Sequence, residues 1–263
     1  MKRLKILVAI LLMLGNSIAA SVDNSIYIDQ SGDNAVVSVT QDGAGNVVRG
    51  IQGSGTSNTT PSRIIGDGTL ISISQIGSGN TLSMGVNTTT AAGSANGGTF
   101  NYSVTGNNAT AVINSNQGGA NTSASNTVDI TQSGNTANAN INVLGSTNSV
   151  TAVTSGGANN SVVSTVNGDN NTQNISMTGG GGNSATISQT GTASALSLTS
   201  VGATNSFTIT QSGGAANGHS TTLDFAGSGN SASVTQAGTA ADSVVNLKSV
   251  GSGNAFTVNS NTR

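Results

Sequence analysis

The sequence contains no cysteine, no tryptophan and no glutamate, and its single proline is Pro61. Without cysteine there is no disulfide framework, the usual support of exported chains with little core, and no thiolate metal site. Aromatic residues are 2% of the chain, so the side chains that ordinarily fill an interior are nearly missing. Charged residues are 6%. So little charge argues against a chain held open by self-repulsion and leaves no basic patch for nucleic acid or anionic lipid. What remains is Gly, Ser, Thr, Asn and Ala with regularly placed Val and Ile, a weakly charged, amide-rich composition of the kind that pairs as β-structure.

The first residues follow another pattern. Lys2, Arg3 and Lys5 precede an apolar run over 6–14, and Ser17-Ile18-Ala19 offers small residues at a cleavage site. That apolar run is too short to span a bilayer. Residues 1–19 are therefore expected to be a signal peptide, removed on export, and 20–263 a single repeat region without stable membrane insertion. Removal leaves Arg49, Arg63, Lys248 and Arg263 against nine aspartates, and 4 − 9 gives a net charge of −5.

Self-similarity dominates the rest. A strand-length unit alternates apolar and polar residues, then closes on glutamine, one residue and glycine. It occurs at 24–32 (NSIYIDQSG), 69–77 (TLISISQIG), 126–134 (NTVDITQSG), 183–191 (NSATISQTG), 205–213 (NSFTITQSG) and 230–238 (NSASVTQAG), and starts again at Asn254. Starts at 183, 205, 230 and 254 set a period of 22–25 residues, within the solenoid range. Between them, 194–202, 221–227 and 243–251 alternate without glutamine and end in turns of one pattern, such as Gly227-Ser228-Gly229-Asn230. The expected fold is all-β: a parallel β-solenoid, or stack of β-arches, with two strands per coil and amyloid competence. The pattern is most regular over 126–260 and least over 53–68, 87–98 and 115–125, the first of which reads as a loop or an interrupted coil. The glutamine units at 126 and 183 lie 57 residues, two and a half periods, apart. Either the glutamine strand changes sides between them, or one of the weak segments 148–154, 160–166 and 171–177 is not a strand.

The stretch 35–52, AVVSVTQDGAGNVVRGIQ, is the best preserved coil: two seven-residue segments, 35–41 and 46–52, each end in glutamine across Asp42-Gly43-Ala44-Gly45. Period-two geometry puts the glutamines on the apolar face. In a stack, such amides donate and accept along the axis as a ladder, whereas an isolated buried amide costs about 1–3 kcal/mol. The expected ladder residues are Gln30, Gln41, Gln52, Gln75, Gln132, Gln189, Gln211 and Gln236 with Asn46, Asn80, Asn183, Asn205, Asn230 and Asn254; Gly43, Gly45, Gly77 and Gly79 are the expected turn glycines. A good strand at the start of the mature chain and an unfinished unit at its end leave both ends open, which favours head-to-tail addition of copies.

Gln41-x-Gly43-x-Gly45-Asn46-x-Val48-x3-Gln52 resembles the curlin repeat, Q-x-G-x-G-N-x-A-x3-Q, of curli amyloid subunits. Gln75-Ile76-Gly77-Ser78-Gly79-Asn80-Thr81-Leu82 is similar, with Val86 in place of the second glutamine, and later copies keep either half of the motif. The resemblance implies a fibre subunit for adhesion and biofilm matrix at the cell surface. Its implied partners are further copies of itself, a nucleator subunit and an outer-membrane secretion pore.

Nothing in the sequence points to catalysis or a cofactor. His219, the one histidine, has no acidic cluster beside it and reads as a turn residue. Gly179–Gly182 has no following lysine to make a phosphate loop, and the aspartates stand singly without calcium-repeat spacing. Against an ice-binding face, outward residues are mixed: Tyr27, Asp29, Thr210, Asp224 and Lys248. The competing reading is a secreted monomeric solenoid that acts as an adhesin or surface-binding protein.

Overall fold

The computed structural model describes residues 9–10, 23–52, 57–87, 97–115, 125–213, 218–238 and 242–262. Among them every regular element is a β-strand, and all pairing is parallel, in two sheets. The first sheet stacks Val36–Asp42, Leu70–Ile76, Thr99–Thr105, Thr127–Ser133, Ser149–Thr154, Thr172–Thr178, Ala195–Val201, Ser220–Ala226 and Val244–Val250, in that order. The second stacks Ser25–Ile26, Val47–Arg49, Thr81–Asn87, Thr110–Ser115, Asn138–Leu144, Ser161–Asn167, Ser184–Thr190, Ser206–Ser212, Ser231–Gly238 and Ala255–Thr262. The chain alternates between them, one strand in each per coil, which is the β-solenoid that the repeat period predicts.

Alternation decides what the interior holds. In Ser184–Thr190, for example, Ala185, Ile187 and Gln189 are buried while Thr186 and Thr190 face outward. Each coil thus contributes three inward positions per strand, and the register keeps like positions above one another: Ile187 pairs with Ile209, and Ile209 with Val234. Small and branched side chains suit a narrow space between two sheets. Aromatic rings meet across this space where Phe225 packs against Phe207 and Phe256 edge to face at 5.0 and 5.7 Å.

The corners explain the glycines. The first residue of each four-residue corner has positive φ, 104° at Gly202 and 110° at Gly227. A Cβ on Gly202 would lie 2.1 Å from the carbonyl oxygen of Gly227 in the next coil, so the stacked corners exclude any side chain there. The third corner position is also left-handed but open, and takes Gly79, Asn108, Thr136 or Thr204 with φ between 56° and 71°.

Two points differ from the sequence reading. First, 46–52 is not one strand. Val47–Arg49 leaves the second sheet at Gly50, and Ser62–Ile65 returns to complete that level, pairing with Ile28–Ser31 below and Arg63↔Gly85 above. Pro61 has no N–H to give a ladder, and the chain loops out there, with Asn58 brought to the Arg49 guanidinium. The stretch 53–68 is thus an interrupted coil whose returning part is strand; its residues 53–56 lie outside the described residues, as do 88–96 and 116–124 in the other irregular stretches. Second, all three weak segments are strands, Ser149–Thr154, Ser161–Asn167 and Thr172–Thr178. The glutamine column therefore changes sheets: Gln41, Gln75 and Gln132 lie in the first sheet, and Gln189, Gln211 and Gln236 in the second. Of the expected signal segment, only Ala9–Ile10 is described; it pairs with Ser38 and Val39 at the outer edge of the first sheet.

Candidate functional site

The chemistry of this molecule lies in its columns and in the two coils where they stop. At the third inward position of the second sheet, Gln189 Nε2 donates to Gln211 Oε1 at 2.6 Å, and Gln211 Nε2 to Gln236 Oε1 at 3.0 Å. In the first sheet Gln41 donates to Gln75 at 2.7 Å, while Gln132 Oε1 accepts from the Tyr102 hydroxyl at 3.0 Å. Tyr102 is fully enclosed, and burial pushes its phenol well above the ordinary range, so it stays a donor. Gln30 stands in the first described coil, half buried, and donates to Gly32 O. Gln52 is exposed and outside the strands, turned back on Gly50 O; Ile64 takes its column position, between Gln30 and Val86.

A second set of amides clamps the corners. Asn205 Oδ1 accepts the backbone N–H of Asn230 one coil on, at 2.9 Å, and its Nδ2 donates to Gly227 O at 3.0 Å. The same bond joins Asn46 to Asn80, Asn183 to Asn205, and Asn230 to Asn254. Only the acceptor side chain is required, because Asn80 Oδ1 takes the N–H of Ala109 equally well, at 3.0 Å. These bonds span 22, 34 and 29 residues over the first coils and 22 to 25 from Asn126 onward, so the coil length varies widely in the first half and little in the second.

Sequence reasoning missed Asn126, Asn148 and Asn171, which clamp the opposite corner, and Asn160, which accepts from Asn183. It also missed Gln173, buried in a column between Val150 and Leu196, with its Oε1 bonded to the Ser164 hydroxyl and its Nε2 without a partner among the described residues. The signal was present: Gln173, Ile175 and Met177 share one parity. His219 sits at a corner position of the first sheet, buried, with Nε2 3.1 Å from Ser212 O.

The two sheets are staggered by half a level. Gln75 Nε2 reaches both Val47 O and Asn80 O, on successive strands of the opposite sheet, and Asn80 O also accepts the Val47 N–H from the level below. Gln236 likewise reaches Ser220 O and Ser243 O, across from it in successive strands of the first sheet. Each strand thus faces the gap between two strands.

At the ends, these columns lie half open. Val244–Val250 and Ala255–Thr262 each pair on one side only among the described residues, as does Ser25–Ile26. Leu247, Phe256 and Val258 at one end, and Ile26, Ile28 and Val37 at the other, are apolar side chains packed on the core but only partly covered. Val244 and Val250 are 74% and 75% exposed. Lys248 stands beside Asp224 at 3.4 Å, an ion pair on the outer face. No group of side chains among the described residues has the make-up of a metal site.

Neither protein-family models, nor curated proteins, nor solved structures give a match to this chain.

Proposed function

We propose that this chain is an exported structural subunit that polymerises end to end into extracellular fibres for adhesion and biofilm matrix, and that its function is assembly rather than catalysis. The observation that carries this reading is the pair of open end coils. Each has, among the described residues, no further strand against its outer edge, and that edge is flanked by half-covered apolar columns. Edge strands that are to stay monomeric are blunted by charge, proline or a covering element. Here the edge strand Ala255–Thr262 carries no charged residue or proline, and its inward residues Phe256 and Val258 are apolar, as Ile26, Ile28 and Val37 are at the other end. The glycine corners and stacked amides support the same reading, since both are built to meet a neighbour above and below. Likeness to the curlin repeat points the same way, carried now by 75–82, because Gln52 of the other copy lies off the stack.

The test uses the chain lacking residues 1–19, at tens of micromolar. Thioflavin fluorescence rises after a lag, and preformed fibre fragments shorten that lag. A protein that holds stable β-structure for days as a monomer overturns the reading in favour of a monomeric adhesin.

A further inference from the structure

We infer that successive copies join with a half turn between them, so that the first sheet of one copy continues as the second sheet of the next. This rests on end-to-end assembly and on removal of residues 1–19, and three independent features carry it.

The first is the count of half coils. From Ser25 onward the second sheet has ten levels and the first sheet nine, so the described stack begins and ends on the second sheet. Because the sheets are staggered by half a level, the position after Ala255–Thr262 lies on Val244–Val250, in the first sheet. A copy added without rotation would set its strand at 25–31 on Ala255–Thr262 and leave the level above Val244–Val250 empty, with two strand edges unpaired. A copy turned by half a revolution sets 25–31 on Val244–Val250 and its Val36–Asp42 on Ala255–Thr262, and no level is skipped.

The second feature is charge. Counted from the corner, the rotated junction places Ser25 on Val244, Tyr27 on Asn246 and Asp29 on Lys248. Within each chain Asp224 already pairs with Lys248, and Asp29 with Arg63. The junction therefore runs Asp224, Lys248, Asp29, Arg63 along one outer column, alternating in sign at each level. The unrotated junction sets Asp29 on Asn259, leaves Lys248 facing the empty level, and pairs no charge.

The third is the change of sheet in the glutamine column. Within one chain Gln189, Gln211 and Gln236 never share a column with Gln41 and Gln75. The half turn sets Gln41 on Ser260, two levels after Gln236, and Gln75 follows it, so the two sets fall in one column across the junction; an unrotated copy sets only Gln30 there, followed by Ile64. Asn254 then offers its Oδ1 to the backbone N–H of Ala35, the bond that Asn80 makes to Ala109. Ser243 meets Asn24, as the Ser194 hydroxyl meets the N–H of His219.

The chain has no cysteine, which makes the register directly testable. Neighbouring parallel strands lie about 4.7–4.9 Å apart, inside the Cα spacing a disulfide accepts. Two double variants share Tyr27→Cys: one adds Asn246→Cys, the other Thr257→Cys. Fibres are grown under reducing conditions, then oxidised and run on non-reducing gels. The half turn predicts a ladder of cross-linked multimers from Tyr27→Cys/Asn246→Cys and chiefly monomer from Tyr27→Cys/Thr257→Cys. The opposite pattern, or fibres in which neither pair cross-links, overturns the half turn while end-to-end assembly stands. Should Tyr27→Cys impair folding, Ser25→Cys with Val244→Cys asks the same question, against Ser25→Cys with Ala255→Cys. Failure of the cysteine-free parent to form fibres overturns the assembly reading itself, and the half turn with it.

Discussion

A coil inside the stack and a coil at its end are built from the same residues but held by different forces. Gly202 and Gly251 open equivalent corners, with φ of 104° and 118°. A Cβ on Gly202 would strike Gly227 O at 2.1 Å, whereas one on Gly251 meets nothing nearer among the described residues than Asn254 Nδ2 at 3.6 Å. The backbone requirement is the same in both; the steric requirement belongs to the neighbour above. Inside the stack a residue is specified by two adjacent coils, and at the end by one.

Substituting the two glycines separates those terms and gives the largest expected effect. Gly202→Ala combines positive-φ strain of about 1–3 kcal/mol with overpacking of about the same size. It should split the stack near that corner, seen as a large drop in thermal midpoint and early hydrogen exchange in the adjoining coils. Gly251→Ala carries only the backbone strain in the monomer. In a fibre the next copy's corner covers that site, so elongation should slow by on the order of tenfold, equivalent to ~1.4 kcal/mol. If Gly251→Ala weakens the monomer as much as Gly202→Ala does, or leaves fibre growth untouched, the contrast between interior and end is wrong.

That contrast also explains what was legible in the sequence. Solenoid class, coil length and inward glutamines follow from period-two alternation and repeated glycine corners, each a local signal written several times. The interruption after Arg49 was half legible: Pro61 marked it, but the return of Ser62–Ile65 to the same level depends on pairing with Ile28–Ser31, residues more than thirty positions earlier. Gln52 was misplaced for the same reason, because its local pattern is good and only the long-range pairing removes it. The change of glutamine sheet showed as a spacing of two and a half periods but was settled only by the pairing of three weak strands. The half-level stagger left no mark in the sequence, since it is a relation between two sheets.

The amide columns offer a smaller contrast, between a glutamine that has neighbours of its own kind and one that has not. Gln211 both donates to and accepts from glutamines; Gln211→Leu leaves Gln189 Nε2 without that acceptor and Gln236 Oε1 without that donor. A loss of about 1–3 kcal/mol is expected by denaturant titration. Gln173 lies among Val150 and Leu196 and bonds only Ser164 among the described residues. Ser164→Val with Gln173→Leu removes both partners at once, which ought to be neutral or stabilising. A loss from the double variant comparable to that of Gln211→Leu would mean that isolated amides are specified as strictly as stacked ones.

The smallest effect concerns a column end made from a phenol. Tyr102 occupies the position of Ile73 and Ile130, and its hydroxyl satisfies Gln132 where Val104 offers no amide. Tyr102→Phe should cost about 1 kcal/mol at neutral pH, the net worth of one such hydrogen bond. The pH dependence gives it a second signature. A tyrosine is native here in its neutral form, with its folded pKa raised by burial above the unfolded value of about 10. Its contribution is therefore complete below that unfolded value and declines as the pH rises past it, because the unfolded chain ionises first. Tyr102→Phe has no such group at this position, so the gap between parent and variant should narrow above pH ~10 and be constant below it. A gap that stays constant through the alkaline range would show that the phenol of Tyr102 is not held neutral by its surroundings, and that the end of this column is open to water.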